Sequence, residues 1–402
     1  MPRFDPFPGL RYSPSHIRSL DDVVCPPYDV ISDSQRQALE ARSPSNVVRL
    51  ELPHDEGEPG AGDRYERARQ VLDAWRDGGI LHRDSRPGFY GYRMSYPDPA
   101  GRPASTLGVI GALGLEPPGR GILPHEETTP KAKTDRLDLI RATRANLSPI
   151  WGLSPGTGLS AHIAAPAHPV ERVTDEDGIV HELWPIDDPD QIAAIRAAVE
   201  SQPVLIADGH HRFETALNYR AERTAAGQAG TDDDAVMALV VELSDEQLTV
   251  QAIHRLLMGL PAGFDLPGAL GQWFDVTPTG PVDRTILERM DDAGALAVLT
   301  DAGVWLARPR PEVTEAATHD LDSSRLDVAR AELPDHQVVY QHGWDNCAAA
   351  VAAGTASAAV LLRPATVEQI AAISRGGVRM PPKTTFFWPK PRTGMVIREL
   401  LG

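Results

Sequence analysis

The sequence predicts an α+β fold of mixed sheets and helices. Three observations carry this. Apolar runs of strand length recur along the 402 residues, amphipathic stretches of helical period lie between them, and the two alternate without the regular rhythm of a doubly wound sheet. The sharpest junction lies at 204–217. There Val204-Leu205-Ile206-Ala207 reads as a buried strand, Asp208-Gly209 as a turn pair, and Phe213, Ala216 and Leu217 as one face of a following helix.

From the N-terminus, residues 1 to about 35 are rich in proline and turns, including Cys25-Pro26-Pro27-Tyr28-Asp29-Val30-Ile31, and read as extended chain. Residues 33–41 predict a short helix, 46–52 a strand by alternation, 54–62 a loop and 63–75 an amphipathic helix stopped at Gly78-Gly79. Residues 88–96 and 106–113 predict a strand pair. A polar loop from 122 to 136 leads into a helix through Thr143, and 149–153 is apolar again. A helix over 189–200 precedes the junction at 204; strands over 235–243 and 249–257 follow it. From about Pro261 the pattern resets, with helices near 267–273 and 284–292, strands near 296–306 and later helices. The expected domains are 1–260 as the core, 261–374 as a smaller C-terminal α/β region, and 375–402 as a motif-bearing tail packing back on the core.

Composition excludes several classes. Hydrophobic content of 42% and charged content of 24% are those of a soluble globular chain. No apolar run reaches the roughly 18 residues of a membrane span, and the start lacks a signal-peptide core, so a cytoplasmic protein without a membrane partner is expected. Two cysteines are too few for a disulfide framework or a thiolate zinc site. A net charge of −17 repels a polyanion, so no nucleic-acid partner is expected. Lysine occurs only at Lys131, Lys133, Lys383 and Lys390; every other basic residue of the 39 is arginine. Lysine is a compact charge on a flexible stem, a property arginine does not reproduce, which points to two functional segments.

The 204–217 junction places Asp208, Gly209, His210, His211 and Arg212 around a helix N-terminus. Backbone N–H groups and the positive end of the helix dipole favour an anion there, and Arg212 adds a planar fork for phosphate oxygens. A carboxylate repels phosphate, so Asp208 is expected to hold a metal, orient a histidine or take a proton. Helix capping by Asp208 is the plainer alternative. The loop 125–136 adds His125 and Glu126 as acid/base candidates and Lys131, Lys133 and Arg136 as phosphate ligands. The segment 379–390 adds Lys383 and Thr384 as ligands, with Phe386, Phe387 and Trp388 assigned to packing. His254-Arg255 could stand beside the junction. If these segments share one active site, 125–136, 208–212 and 383–385 line one pocket. Neither a Walker-type loop nor a G-x-G-x-x-G fingerprint occurs. Gly152-Leu153-Ser154-Pro155-Gly156 matches G-x-S-x-G in letters only, because Pro155 has no N–H to lend to an oxyanion hole.

At Cys25–Ile31, His125-Glu126 with Thr128 and Asp135-Arg136-Leu137, Ala207–Arg212, His254-Arg255, and Pro382–Thr385 with Pro389-Lys390, the chain resembles a bacterial and archaeal family catalogued as domain of unknown function 1015. The Asp208–Arg212 motif alone is similar to the phosphate-binding motif of the ParB/sulfiredoxin superfamily, which includes DNA-partitioning proteins, sulfiredoxins and free-serine kinases. That likeness implies a ParB/sulfiredoxin-like core with a phosphate site. Neither cysteine matches sulfiredoxin's catalytic one, and the acidic balance disfavours DNA partitioning. The expectation is a phosphotransferase acting on a small hydroxylated metabolite, free serine being the best-motivated acceptor by resemblance. ATP, ADP or pyrophosphate would be the donor. Magnesium is expected, with Asp208 among its ligands. A non-catalytic nucleotide-binding regulator is the alternative, and a nuclease or phosphodiesterase a third reading.

Overall fold

The apolar runs pair into two large sheets, and each sheet sits in its own unit. The computed structural model describes residues 1–54, 63–98, 101–117, 119–124, 130–163, 171–375, 380–381 and 383–401. His125 and Glu126 lie outside them, as does most of the 54–62 loop. One unit comprises Met1–Thr249 with Pro389–Gly402, the other Val250–Trp388. No helix among the described residues is long and apolar enough to cross a membrane.

In the first unit the sheet runs, strand by neighbouring strand, Ile122–Pro124, Val204–Asp208, Ile150–Ser154, Ala235–Glu242, Pro103–Gly114, Phe89–Pro97, Val180–Ile186 and Glu171–Thr174, with Phe4–Asp5 added on Pro103–Gly114. Val204–Asp208 pairs parallel with Ile122–Pro124, and Ile150–Ser154 pairs parallel with Ala235–Glu242; the remaining pairs of this sheet are antiparallel. Mixed pairing of this kind is an α+β arrangement. The strand-rich middle stretch builds the core: Phe4 stacks on Phe89 with ring centroids 4.9 Å apart, and Ile150, Trp184, Ile206, Phe213 and Val240 are fully buried around them. The helix Pro189–Glu200 starts on Asp188, whose side chain accepts from Gln191 N, with Pro189 in the first turn. It buries Ile195 and Val199 in the same core.

The chain's end returns to this unit. Arg398–Glu399 pairs with Ala145–Asn146, Ile397 bridges Leu10, and Thr393 bridges Cys25. The buried Arg398 guanidinium donates to the Ala235 carbonyl at 3.0 Å and the Asp232 carbonyl at 2.9 Å, which satisfies a charge the core would otherwise not tolerate.

The second unit holds a six-stranded antiparallel sheet in the order Phe274–Pro278, Gly303–Pro309, Leu296–Thr300, Ala358–Leu361, His254–Met258, Gln337–Gln341. Alternation along Leu296–Thr300 sends Leu296 and Val298 into one core cluster and Ala297 and Leu299 into another, so both faces are covered.

Three sequence readings change here. The boundary falls between Thr249 and Val250, not at 260, because His254–Met258 pairs with Gln337–Gln341 and Ala358–Leu361. The stretch 375–402 is divided: its described residues up to Trp388 belong to the second unit and Pro389 onward to the first. Residues 46–52 form no strand; Val48–Glu51 is a helical turn. Asn46 Oδ1 accepts from Val48 N at 3.0 Å while its amide donates to the Asp22 carbonyl at 2.8 Å, and this local cap outweighs the β-branched valines.

His254-Arg255, read as a possible site pair, sits in the second unit's sheet. His254 is 4% exposed and its Nδ1 accepts from Leu362 N at 3.2 Å. Burial pushes its imidazole down to about 4, and the charges of His342 and Arg255 act the same way. A depressed folded value means that protonation favours the unfolded chain. The stabilisation is present above the ordinary imidazole value of about 6.5 and is lost as pH falls toward 4. His254→Gln keeps an acceptor for Leu362 but does not titrate. Urea unfolding between pH 7 and pH 4 is expected to show the wild type losing up to about 3 kcal/mol that the variant does not lose. Parallel pH profiles would refute this.

Candidate functional site

A bulge sets the junction. Opposite Ile150–Ser154, Ile206 faces Gly152 and Asp208 faces Trp151, so Ala207 is the extra residue. The slip leaves Ala207 unpaired and re-aims Asp208, which still faces Trp151, at the strand's C-terminal end. Gly209 follows with φ 86° and ψ 27°, the left-handed conformation that glycine reaches without steric cost. The helix His210–Ala225 begins immediately, and no side chain caps it. Phe213, Ala216 and Tyr219 are its buried face, as the 3.6-residue period requires.

The acid-plus-arginine pair read from the sequence is closed on itself and joined by a third group. Arg212 Nη2 donates to Asp208 Oδ2 at 2.8 Å, and Lys390 Nζ donates to Asp208 Oδ1. Arg212 Nη1 also donates to the Pro149 carbonyl at 2.6 Å and to Ser148 Oγ at 3.0 Å. Ser148 in turn donates to the buried Glu51 carboxylate at 3.1 Å. Burial alone raises the Asp208 carboxyl; the charges of Lys390 and Arg212, with a contribution from His210, override that and hold it well below the usual carboxylate range.

This bears on the role expected of Asp208. A carboxylate between two cations is a weak proton acceptor. Both of its oxygens face cationic donors, a setting that does not fit the magnesium ion expected there. Among the described residues no group of three His, Cys, Asp or Glu side chains could hold a metal ion. Asp208 instead orients Arg212 and Lys390 at the start of the helix.

Arg136 comes to the same neighbourhood by another route. It lies on the helix Pro130–Thr143, 6% exposed, and donates to Asp135 Oδ2 and, at 2.8 Å, to the Glu51 carbonyl. Its guanidinium stands 4.3 Å over the Tyr28 ring. With its donors so engaged it braces Glu51 and Tyr28 more than it presents a phosphate ligand. Arg136, Arg212, Glu51, Ser148 and Thr215 line a cavity of about 50 Å³. That is water-sized; pockets for whole small molecules run to roughly 300–1,000 Å³. Lys131 and Lys133 fall in the first turns of the helix Pro130–Thr143, not in a loop before it.

Lys383 and Thr384 belong to the second unit, where Thr384 is buried and donates to the Pro381 carbonyl at 2.8 Å. The lysine that meets Asp208 is Lys390, which sequence reasoning left out of the site. Its signal was present: one of only four lysines in an arginine-rich chain, in a segment already marked as motif-like. Ser148 and Glu51 carried no comparable signal, and Tyr28 was marked only as part of the Cys25–Ile31 motif.

Gly209 offers a direct check. A Cβ there would stand 3.0 Å from Ile150 Cγ2 and 3.1 Å from Arg212 Nε, on a backbone held at φ +86°. Gly209→Ala is expected to destabilise the protein by at least about 1–2 kcal/mol, the cost of left-handed backbone for a residue with a Cβ. A melting curve unchanged from wild type would show that the turn is not held as described.

Distant likenesses among solved structures include the following three. SbnI with C-terminal truncation from Staphylococcus aureus is 12% identical, with 71% of this chain and 87% of that chain covered and a TM-score of 0.38. A free serine kinase in complex with AMP is 15% identical, over 68% and 89%, with a TM-score of 0.34. A conserved hypothetical protein from Pyrococcus furiosus is 15% identical, over 67% and 88%, with a TM-score of 0.33. At such scores these likenesses carry no argument about activity. No curated protein matches the chain. The family model of a protein of unknown function, DUF1015, matches residues 4–329, and the chain belongs to that family.

Proposed function

We propose that the protein is a phosphotransferase that holds donor phosphates at the Asp208–Arg212 junction and passes a phosphoryl group to the hydroxyl of a small metabolite. One observation carries this reading: a left-handed glycine opens an uncapped sixteen-residue helix, and two cations, Arg212 and Lys390, are fixed at that same end by one carboxylate. Helix start and paired cations together favour an anion there. The motif's similarity to the ParB/sulfiredoxin superfamily supports a core of that type and the same phosphate role.

In this reading Asp208 is a positioning residue. Phosphate oxygens of ATP, ADP or pyrophosphate compete with it for Lys390 and Arg212, and charge developing on the transferred group meets donors already oriented. Asp208 gives up no metal ligand in doing so; magnesium would travel with the donor's phosphates. His125 and Glu126 supply the acid/base step on the acceptor hydroxyl. Free serine is the first acceptor to test. The double engagement of Asp208 favours one alternative, a regulator that binds nucleotide without turnover, because it leaves the junction itself without a ready base.

A ³¹P NMR screen of the protein with each donor against hydroxylated amino acids and sugars is expected to show a new phosphoester resonance. Nucleotide binding with no turnover of any donor would leave the regulator as the reading; absence of binding would end both. Lys390→Gln is expected to weaken donor binding by about 1.5–3 kcal/mol, the range of a charge-assisted hydrogen bond, with the fold retained. Arg212→Ala is expected to do the same and also to lower the melting temperature, since it removes the bonds to Pro149 and Ser148. Glu126→Gln is expected to reduce turnover by about 10²–10⁴-fold while binding persists. A fully active Glu126→Gln enzyme would remove Glu126 from the mechanism.

A further inference from the structure

The second unit holds a cavity of about 150 Å³ whose polar lining includes Asp291, Asp322, Ser323, Arg363 and Thr384, with Thr366 and Gln369 beside them. It owes nothing to the Asp208 junction. Asp322 opens the helix Asp322–Arg330 with its side chain 4% exposed. Its carboxylate accepts Arg363 Nε at 2.8 Å and Nη2 at 2.7 Å, a fork-to-fork pair that fixes the guanidinium plane. Arg363 Nη1 is left with no hydrogen-bond partner among the described residues.

Asp291, an exposed residue in the last turn of the helix Ile286–Ala293, also lines the cavity. Its carboxylate has no ion pair or hydrogen bond among the described residues; desolvation raises it, the charge of Arg363 opposes that rise, and the charges of Asp322 and Asp292 add to it. Two opposite charges thus face one cavity, close enough to feel each other but not in contact. Two hydroxyl-bearing residues share the lining, Ser323 and Thr384, with Oγ and Oγ1 3.3 Å apart. Thr384 is set there by the residue before it: Lys383 is one of only two described non-glycine residues at positive φ, at 58°. Non-glycine backbone held in that region clusters where a ligand is clamped.

We propose that this cavity binds a small zwitterionic α-amino acid, its carboxylate on Arg363, its ammonium on Asp291 and its short side chain beside the hydroxyls of Ser323 and Thr384. The volume agrees: an engineered cavity of about the same size holds one benzene molecule, and glycine, alanine and serine are of that size. The charges agree as well, since a lone anion would meet Asp291 and a lone cation would meet Arg363. With Asp322 already paired to Arg363, a zwitterion gives the free Arg363 nitrogen an anion and Asp291 a cation.

The test is ligand-observed NMR and calorimetry on the full chain with glycine, L-alanine, L-serine, L-tryptophan, acetate and methylamine as probes. The three small amino acids are expected to bind, with acetate and methylamine at least tenfold weaker and L-tryptophan excluded by volume. Asp291→Asn, at a side chain with no described partner to lose, is expected to weaken glycine at least tenfold with the melting temperature unchanged. Ser323→Val is expected to abolish binding by filling the space; should it fail to fold, Asp291→Asn decides. No binding of any small amino acid at millimolar concentration overturns the proposal. So does acetate or methylamine binding as tightly as glycine, or an unchanged glycine affinity in Asp291→Asn.

Discussion

The first unit is organised around one largely buried carboxylate. Asp208 sits at the end of a fully apolar strand, where an isolated charge would cost several kcal/mol. Arg212, one helical turn on, and Lys390, 182 residues on, neutralise it. The short-range partner is local chemistry. The long-range one requires the end of the chain to return to the first unit, and the anchors of that return are visible: Thr393 against Cys25, Ile397 against Leu10 and Arg398 against Asn146. Removing Lys390 leaves Arg212 to balance the charge. Removing Asp208 strands two cations beside a helix terminus that is itself positive. The asymmetry makes Asp208 the member on which the arrangement rests.

The same geometry is the ground on which we propose a phosphate site at this junction and not a metal or proton-transfer centre. A metal needs oxygens that are not already accepting from cations, and a base needs a carboxyl poised near working pH. Asp208 meets neither need, because the charges that allow it to be buried also hold it ionised. What remains is a helix start with two oriented donors. The network behind it, from Arg212 through Ser148 to Glu51 and on to Arg136 over Tyr28, holds those donors in place with every step inside hydrogen-bond or ring-contact distance. Pre-set donors of this kind need no reorganisation when charge develops on a ligand.

The second unit carries its own logic. Alternating side chains along antiparallel strands build two apolar layers, and His254 is used there as a neutral acceptor for a backbone N–H. Its polar cavity survives because Asp322 and Arg363 satisfy each other, leaving one arm of the arginine and the carboxylate of Asp291 to the space between them.

Local rules made much of this legible in advance. The helix over 189–200 follows from Asp188 as cap, Pro189 in the first turn and an apolar stripe; the strand at 204 follows from its unbroken apolar run; the left-handed turn follows from Asp208-Gly209. The family resemblance was likewise readable from the motifs themselves. Interactions within a few residues, and periodicities of two and 3.6, are written in the order of the residues. Other features were decided by tertiary structure. Valines at 47 and 48 suggest a strand, yet Asn46 caps a helical turn by reaching across to Asp22 and Val24. Lys383 and Lys390 look equivalent as motif lysines, yet one is held in left-handed backbone in the second unit and the other is bonded to Asp208 in the first. A sequence states which residues are charged. Which charges meet depends on how the chain returns on itself, and that is settled only when distant segments compete to bury the same apolar surface and satisfy the same polar groups.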